Sequence, residues 1–354
     1  MLKYDRLVFE ISVPGRRGYS LPENRYPQDS LDDLGNLGRE IPLPLPECSE
    51  LDVVRHFTLL SQKNFGVETG MYPLGSCTMK YNPKINDEAA SRPNFQRIHP
   101  LQSAHEVQGT LAIYHHLAEM LSEIAGMDAF TLNPFAGSHG ELTGLMIMKK
   151  YHQDRGDFAR RKVIVPDSAH GTNPASAAVA GMEIIEIPST PEGLVDLAQL
   201  KAVLSPEVAG MMLTNPNTLG IFDRNILEIT RLVHEAGGLM YYDGANLNAI
   251  LGQARPGDMG FDIVHFNLHK SFSTPHGGGG PGSGPVGVKD RLRRLLPSPQ
   301  VKKVGDHYHV EHDGDSIGQV SGFFGNVLVW IRAYAYILSC GKEHLKTLGT
   351  FATL

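Results

Sequence analysis

The chain has 354 residues, 41% hydrophobic and 20% charged, with 38 acids against 32 Lys and Arg and a formal charge of −6. This is the composition of a globular protein large enough for one large domain and a smaller one, and it carries no basic footprint for nucleic acid. Cys48, Cys77 and Cys340 are too few and scattered for a disulfide framework or a paired zinc motif, which suggests a reducing compartment.

Residues 1–7 carry an early acid and no apolar core of signal-peptide length, and no run of about 18 apolar residues follows. The expectation is a cytoplasmic protein with no membrane span. Residues 1–50 are rich in Pro, Gly, Arg and Asp, with Pro14-Gly15-Arg16-Arg17-Gly18 and Pro42-Leu43-Pro44-Leu45-Pro46 as non-helical pieces. Such an arm builds no core of its own; it lies across a partner surface or remains a tail.

Ser49, with Glu50 and Asp52 behind it, reads as the cap of a helix through Ser61. Residues 66–83 are crowded with turn formers and side-chain donors, as in a loop that lines a site or simply connects two elements. Between His105 and Met127, Val107, Leu111, Tyr114, Leu117, Leu121 and Ile124 recur at helical spacing. Ala136-Gly137-Ser138-His139-Gly140-Glu141 then feeds a second helix through Tyr151, and its free backbone N–H groups and dipole suit a phosphate.

From here the pattern alternates. Strands are predicted at 162–165, 183–187, 210–214, 238–243 and 263–266, and helices at 174–180, 194–204 and 226–236. Strands separated by helices mean a mostly parallel α/β sheet covered on both faces, with ligands at the carboxyl ends of the strands. Polar clusters fall at those ends: Asp167-Ser168-Ala169-His170-Gly171-Thr172-Asn173, Thr214-Asn215-Pro216-Asn217-Thr218, Asp243-Gly244-Ala245-Asn246, and His269-Lys270 before the glycines at 277–280. A lysine at a strand end beside a glycine loop is placed to form a Schiff base with a carbonyl. The G-x-G-x-x-G spacings occur only within residues 277–287, where Pro281 and Pro285 interrupt the run, so no nicotinamide site is expected.

Asp243-Gly244-Ala245-Asn246 upstream of His269-Lys270 resembles the fold-type-I enzymes of pyridoxal 5'-phosphate (PLP), and Asp-x-Ala with His-Lys their decarboxylase branch. Tyr72-Pro73-Leu74-Gly75-Ser76-Cys77-Thr78-Met79-Lys80, the run 167–175 and the run 276–284 narrow the likeness to the glycine dehydrogenase (decarboxylating) family, the P-protein of the glycine cleavage system. Within it, the second subunit of the split form is most similar. The resemblance implies a PLP-dependent transferase fold with a mostly parallel seven-stranded sheet, and it spans roughly residues 5–350. It divides the chain into an arm and helical segment at 1–100, a large PLP-binding domain at 101–335, and at 336–354 the start of a small domain that is truncated relative to the family.

The roles it implies are these. Lys270 holds PLP as a Schiff base. Asp243 pairs with the pyridine nitrogen, Ala245 lies against one ring face and His170 stacks on the other. Gly137, Ser138 and His139 receive the phosphate, and Thr214 and Asn215 reach the phenolic oxygen. His269 handles protons or is structural, while Ser76, Cys77 and Thr78 lie near the entrance, with Tyr72 a substrate contact. The implied reaction decarboxylates glycine and passes its aminomethyl group to the lipoyl arm of the H-protein. Assembly with the first subunit, as a heterotetramer of two plus two, is also implied. Alternatives are another fold-type-I amino-acid decarboxylase or desulfurase, or a non-catalytic subunit.

Overall fold

The structure, a computed structural model, describes residues 6–23, 25, 37–41, 43–64, 66–70, 81–276 and 282–353. It divides into two compact units, residues 1–74 and 75–354.

In the first unit, α1 (Glu50–Ser61) starts at Ser49, whose hydroxyl accepts from the Asp52 N–H while the Asp52 carboxylate reaches back to the Ser49 N–H. This reciprocal cap satisfies two backbone donors that a helix start leaves open. The arm is tied along residues 43–49 by Val13 N–H to the Glu47 carbonyl (2.9 Å) and Glu47 N–H to the Ser12 hydroxyl (2.8 Å). Among the described residues of this unit only Cys48 and His56 are buried, as a segment without its own core requires.

The second unit begins with α2 (Lys84–Ala90), α3 (Pro93–Gln96) and α4 (Gln108–Ala125). There follow β1 (Ala129–Thr131), α5 (Gly137–Asp154), β2 (Lys162–Pro166), α6 (Thr172–Val179), β3 (Glu183–Ile187), α7 (Leu197–Val203) and β4 (Val208–Leu213). Next come α8 (Ile226–Glu235), β5 (Leu239–Gly244), β6 (Ile263–Phe266), α9 (Leu268–Ser271) and β7 (Val286–Val288). A hairpin of β8 (Gln300–Val304) and β9 (His307–Glu311) precedes α10 (Val327–Thr353), which bends where Gly341 takes a φ of 65°.

Seven strands form one sheet in the order β1-β7-β6-β5-β4-β2-β3. The run β6-β5-β4-β2-β3 is parallel, and β7 is antiparallel to both of its neighbours. The fold is therefore the mostly parallel, seven-stranded α/β sheet that the resemblance implies. β1 and β7 were not expected: each has three residues, too few for a period to register, and β7 sits in a Gly/Pro-rich run.

Except in β3, whose residues are mostly exposed, the strands are buried on both faces, and their side chains alternate between two cores. Ile164, Met211, Leu213, Met240, Tyr242, Val264 and Phe266 pack with α4, α8 and α10. Val163, Val165, Met212, Tyr241 and Ile263 pack with α5 and α6 on the other face. Each fully buried side chain of this size stabilises by about 1.5–3 kcal/mol relative to exposure. The same alternation puts Asp243 and His265 on the face covered by α5 and α6.

Candidate active site

Because β2, β4, β5 and β6 run parallel, their carboxyl ends bring the four polar clusters to one edge of the sheet. Connections from β2 run toward β3, whereas those from β4 run toward β5 and β6, so the edge includes a point where the winding reverses. Sheets of this type bind their ligands there.

Asp243 lies in β5, 3% exposed. Its Oδ2 accepts from the Asn173 amide (2.9 Å) and its Oδ1 from the Ala245 N–H (3.0 Å). His265, one strand over, points Nε2 at Oδ1 from 3.5 Å. The Tyr241 hydroxyl meets His265 Nδ1 at 2.6 Å. Burial, and then the carboxylates of Glu141 and Asp243, push the Tyr241 phenol well up, so it keeps its proton and donates to Nδ1. The ring hydrogen of His265 then sits on Nε2, facing Asp243.

Helix α5 lies unusually close to this layer. A Cβ on Gly144 would come within 2.3 Å of the Tyr241 ring, and one on Gly137 within 2.4 Å of Asn267 Oδ1. The close approach sets the first turn of α5 beside the end of β6. Gly140 N–H bonds to the Ala136 carbonyl at 2.9 Å, and Ser138 is exposed. Ala136 offers no side-chain cap.

Lys270 is half-buried in α9, directly after β6, and lines a cavity of about 230 Å³ with Tyr81, Asn248, Ser271, Ser273 and Tyr336. His269 is buried, its Nδ1 accepts from the Ser283 N–H (3.3 Å), and its ring meets His276 edge-on at 4.3 Å. His170 is exposed at the start of α6, with Nδ1 2.7 Å from the Thr172 hydroxyl. Ala245 is half-buried just after β5, in the same polar edge.

Two expected ligands have their side chains engaged elsewhere. The Asn215 amide accepts from the Asp223 N–H (2.7 Å) and donates to the Asp223 carbonyl (3.3 Å), closing the loop between β4 and α8. His139 Nδ1 accepts from the Phe135 N–H at 3.1 Å, and burial holds its ring below the ordinary imidazole value against a hydrogen bond to the Val320 backbone. Thr214 differs: its Oγ1 is buried with no hydrogen-bond partner among the described residues. Asn267 Oδ1, directly after β6, and Thr274 Oγ1 and Ser283 Oγ share that condition. Buried polar atoms are nearly always paired, so orphans that follow β4 and β6 at the polar edge of the sheet fit a polar ligand such as PLP. Tyr72, Ser76, Cys77, Thr78 and the glycines at 277–280 lie outside the described residues.

A cleft of about 1020 Å³ lies instead where β1 begins and β7 ends, the opposite edge of the sheet. Its arginines are engaged: Arg255 with Asp258, Arg291 with Asp262, Arg293 with Asp290 and Arg294 with Asp315. Among the described residues no helix is long and apolar enough to cross a membrane.

Residues 33–308 match the family described as glycine cleavage system P-protein. Probable glycine dehydrogenase (decarboxylating) subunit 2 of Caldanaerobacter subterraneus subsp. tengcongensis is 60% identical over 358 residues, covering 100% of this chain and 74% of its own length. The protein of the same name from Thermotoga maritima is 56% identical over 347 residues, covering 98% and 73%. A solved glycine decarboxylase (P-protein) of the glycine cleavage system, in inhibitor-bound form, superposes with a TM-score of 0.73 at 22% identity over 90% of this chain and 74% of that one. An aspartate aminotransferase of subgroup IV from Thermus thermophilus gives 0.52 at 16% identity, over 75% and 69%. At such identities the structural likeness speaks for the fold.

Proposed function

The chain belongs to the glycine cleavage system P-protein family, and from that membership we propose how its residues serve as subunit 2 of a PLP-dependent glycine dehydrogenase (decarboxylating). The observation that carries the residue assignment is the pairing of a buried, doubly held Asp243 on β5 with Lys270 just beyond the adjacent parallel strand β6. The orphaned hydroxyls and amide that follow β4 and β6 fit a polar cofactor.

When bound, PLP supplies an electron-withdrawing ring that takes up the electron pair left by departing CO2. Lys270 Nζ is the amine that would hold the cofactor and would yield it to the amino group of glycine. Asp243 holds the proton on the ring nitrogen, and Asn173 and the Ala245 N–H keep its carboxylate aimed. Ala245 and His170 would lie against the two faces of the ring. The backbone N–H groups of Gly137, Ser138 and His139, at the positive end of α5, receive the phosphate. The Thr214 hydroxyl would bond the phenolic oxygen, and Asn215 supports it by holding the loop closed. His269 positions the Lys270 turn against the Ser283 backbone.

The subunit assembles with a partner subunit 1. In our reading the assembly is two plus two, and the aminomethyl group passes to the lipoyl arm of the H-protein. The test is to load the protein with PLP, with subunit 1 and lipoylated H-protein present, and follow exchange of labelled CO2 into glycine. Exchange into glycine over other amino acids is expected. A visible cofactor band with no glycine exchange, but turnover of another amino acid, would reassign the substrate.

A further inference from the structure

We propose that Glu141 and Thr172 are positioning residues that hold the ring proton of His170 on Nδ1 and leave the Nε2 lone pair at the exposed end of the imidazole. The proposal rests on the reading above, in which His170 faces the cofactor. It starts from a buried carboxylate that the proposed chemistry does not use. Glu141, on α5, is 3% exposed and has no cation paired with it among the described residues. Its Oε1 accepts from the Thr172 hydroxyl at 2.8 Å and its Oε2 from the Ser176 hydroxyl at 2.9 Å, both on α6. From β5 the group facing it is the protonated Tyr241 phenol, whose hydrogen goes to His265. An apolar pair would close the α5–α6 contact without the desolvation that a lone carboxylate costs.

The geometry says what the charge does. A carboxylate only accepts, so the single hydroxyl hydrogen of Thr172 is committed to Glu141. Toward His170 the same oxygen has only lone pairs left, and Nδ1, 2.7 Å away, must donate to it. A second group competes for Nδ1: the Thr172 N–H, an open donor at the start of α6, lies 3.2 Å from it and can bond only if Nδ1 is bare. Hydrogen bonds polarised by an ionised acceptor are shorter and stronger than neutral ones, so the chain Glu141–Thr172–His170 prevails over the longer backbone contact. One hydroxyl thus selects the tautomer.

Nitrogen NMR of histidine-labelled, PLP-loaded protein reads the tautomer directly, with His170→Asn assigning the resonance. The measurement is made about two units above the ordinary imidazole pKa of ~6.5. In the wild type and in Thr172→Ser the proton should sit on Nδ1. In Thr172→Val it should move to Nε2, because the N–H of residue 172 is then the donor beside Nδ1. A wild-type proton on Nε2 overturns the proposal whether or not the valine variant folds, and so does an unchanged tautomer in that variant. A wild-type Nδ1 proton together with no visible band on PLP addition would uphold the relay and overturn the cofactor reading instead.

Discussion

Asp243 and His265 face each other across the β5–β6 ladder: the strand register pairs them directly, and Oδ1 and Nε2 lie 3.5 Å apart with side chains 4% and 0% exposed. His265 is in turn held by Tyr241, so a strand-end carboxylate has a second layer behind it. A charge held this deeply is aimed by several donors at once, which is the condition for acting on one ligand atom without reorganising.

Asp243→Asn should retain the visible band of bound PLP and lose about a hundredfold or more in glycine turnover. A neutral amide accepts weakly at the ring nitrogen, and its NH2 must point at the Asn173 amide or the Ala245 N–H, which are donors themselves. Spectra and exchange rates measured side by side check it; turnover within a few-fold of wild type would remove Asp243 from this role.

Lys270→Ala should fold normally and show no visible band. The side chain is half-buried at a cavity wall, so truncation should change stability by no more than about 0.5 kcal/mol. Borohydride treatment followed by peptide mapping is the check, and a PLP adduct surviving in the variant would move the anchor to another lysine.

Gly144→Ala should destabilise the protein by about 1–3 kcal/mol, since its Cβ would stand 2.3 Å from the Tyr241 ring and 3.1 Å from Ile263 Cγ2 in a close-packed layer. Urea midpoints report the change. An unaltered midpoint would mean that α5 does not rest on β5 and β6 as closely as the structure has it.

His152 is buried on α5, its Nε2 donating to the Ala209 carbonyl at 2.8 Å, and burial lowers its pKa despite that bond. His139 is lowered for the same leading reason. Both are neutral in the folded protein, whereas the unfolded chain binds their protons at about pH 6.5. Stability should therefore be complete above that value and fall as the pH drops from it toward the lower folded pKa values. Melting temperatures measured from about pH 7.5 to 5.5 should decline, less steeply in His152→Gln; identical slopes would exclude His152 as a contributor.

On α1, Leu51, Val54 and Phe57 recur three apart and are 54%, 55% and 58% exposed. A partner that covers such a stripe stabilises the folded state by mass action. The melting temperature should rise when subunit 1 is added, and Val54→Asp with Phe57→Asp should abolish the rise. No rise with wild-type protein would assign the stripe to another contact.

The sequence by itself determined the parallel α/β class and the strands β2 to β6: β2, β4, β5 and β6, buried on both faces, are apolar runs ending in polar clusters, and β3 shows as an isoleucine-rich run between Gly181 and Pro188. It also exposed Asp243, His170 and Lys270, each of which stands at the end of such a run. Strands β1 and β7 escaped it, being held by pairing with distant partners and not by a local pattern.

The tertiary structure alone decided what stands behind those residues. His265 reads locally as one more residue of a buried strand, and only the register of β5 on β6 turns it toward Asp243. Glu141 reads as an ordinary helical glutamate until the glycines of α5 let the helix settle and α6 brings Thr172 and Ser176 over it. Asn215 and His139 look like ligand groups in sequence, yet nearby backbone takes up their side chains. Residue type records what a side chain can bond to; which partner it meets depends on strand order and helix clearance, set by packing between segments far apart in the chain.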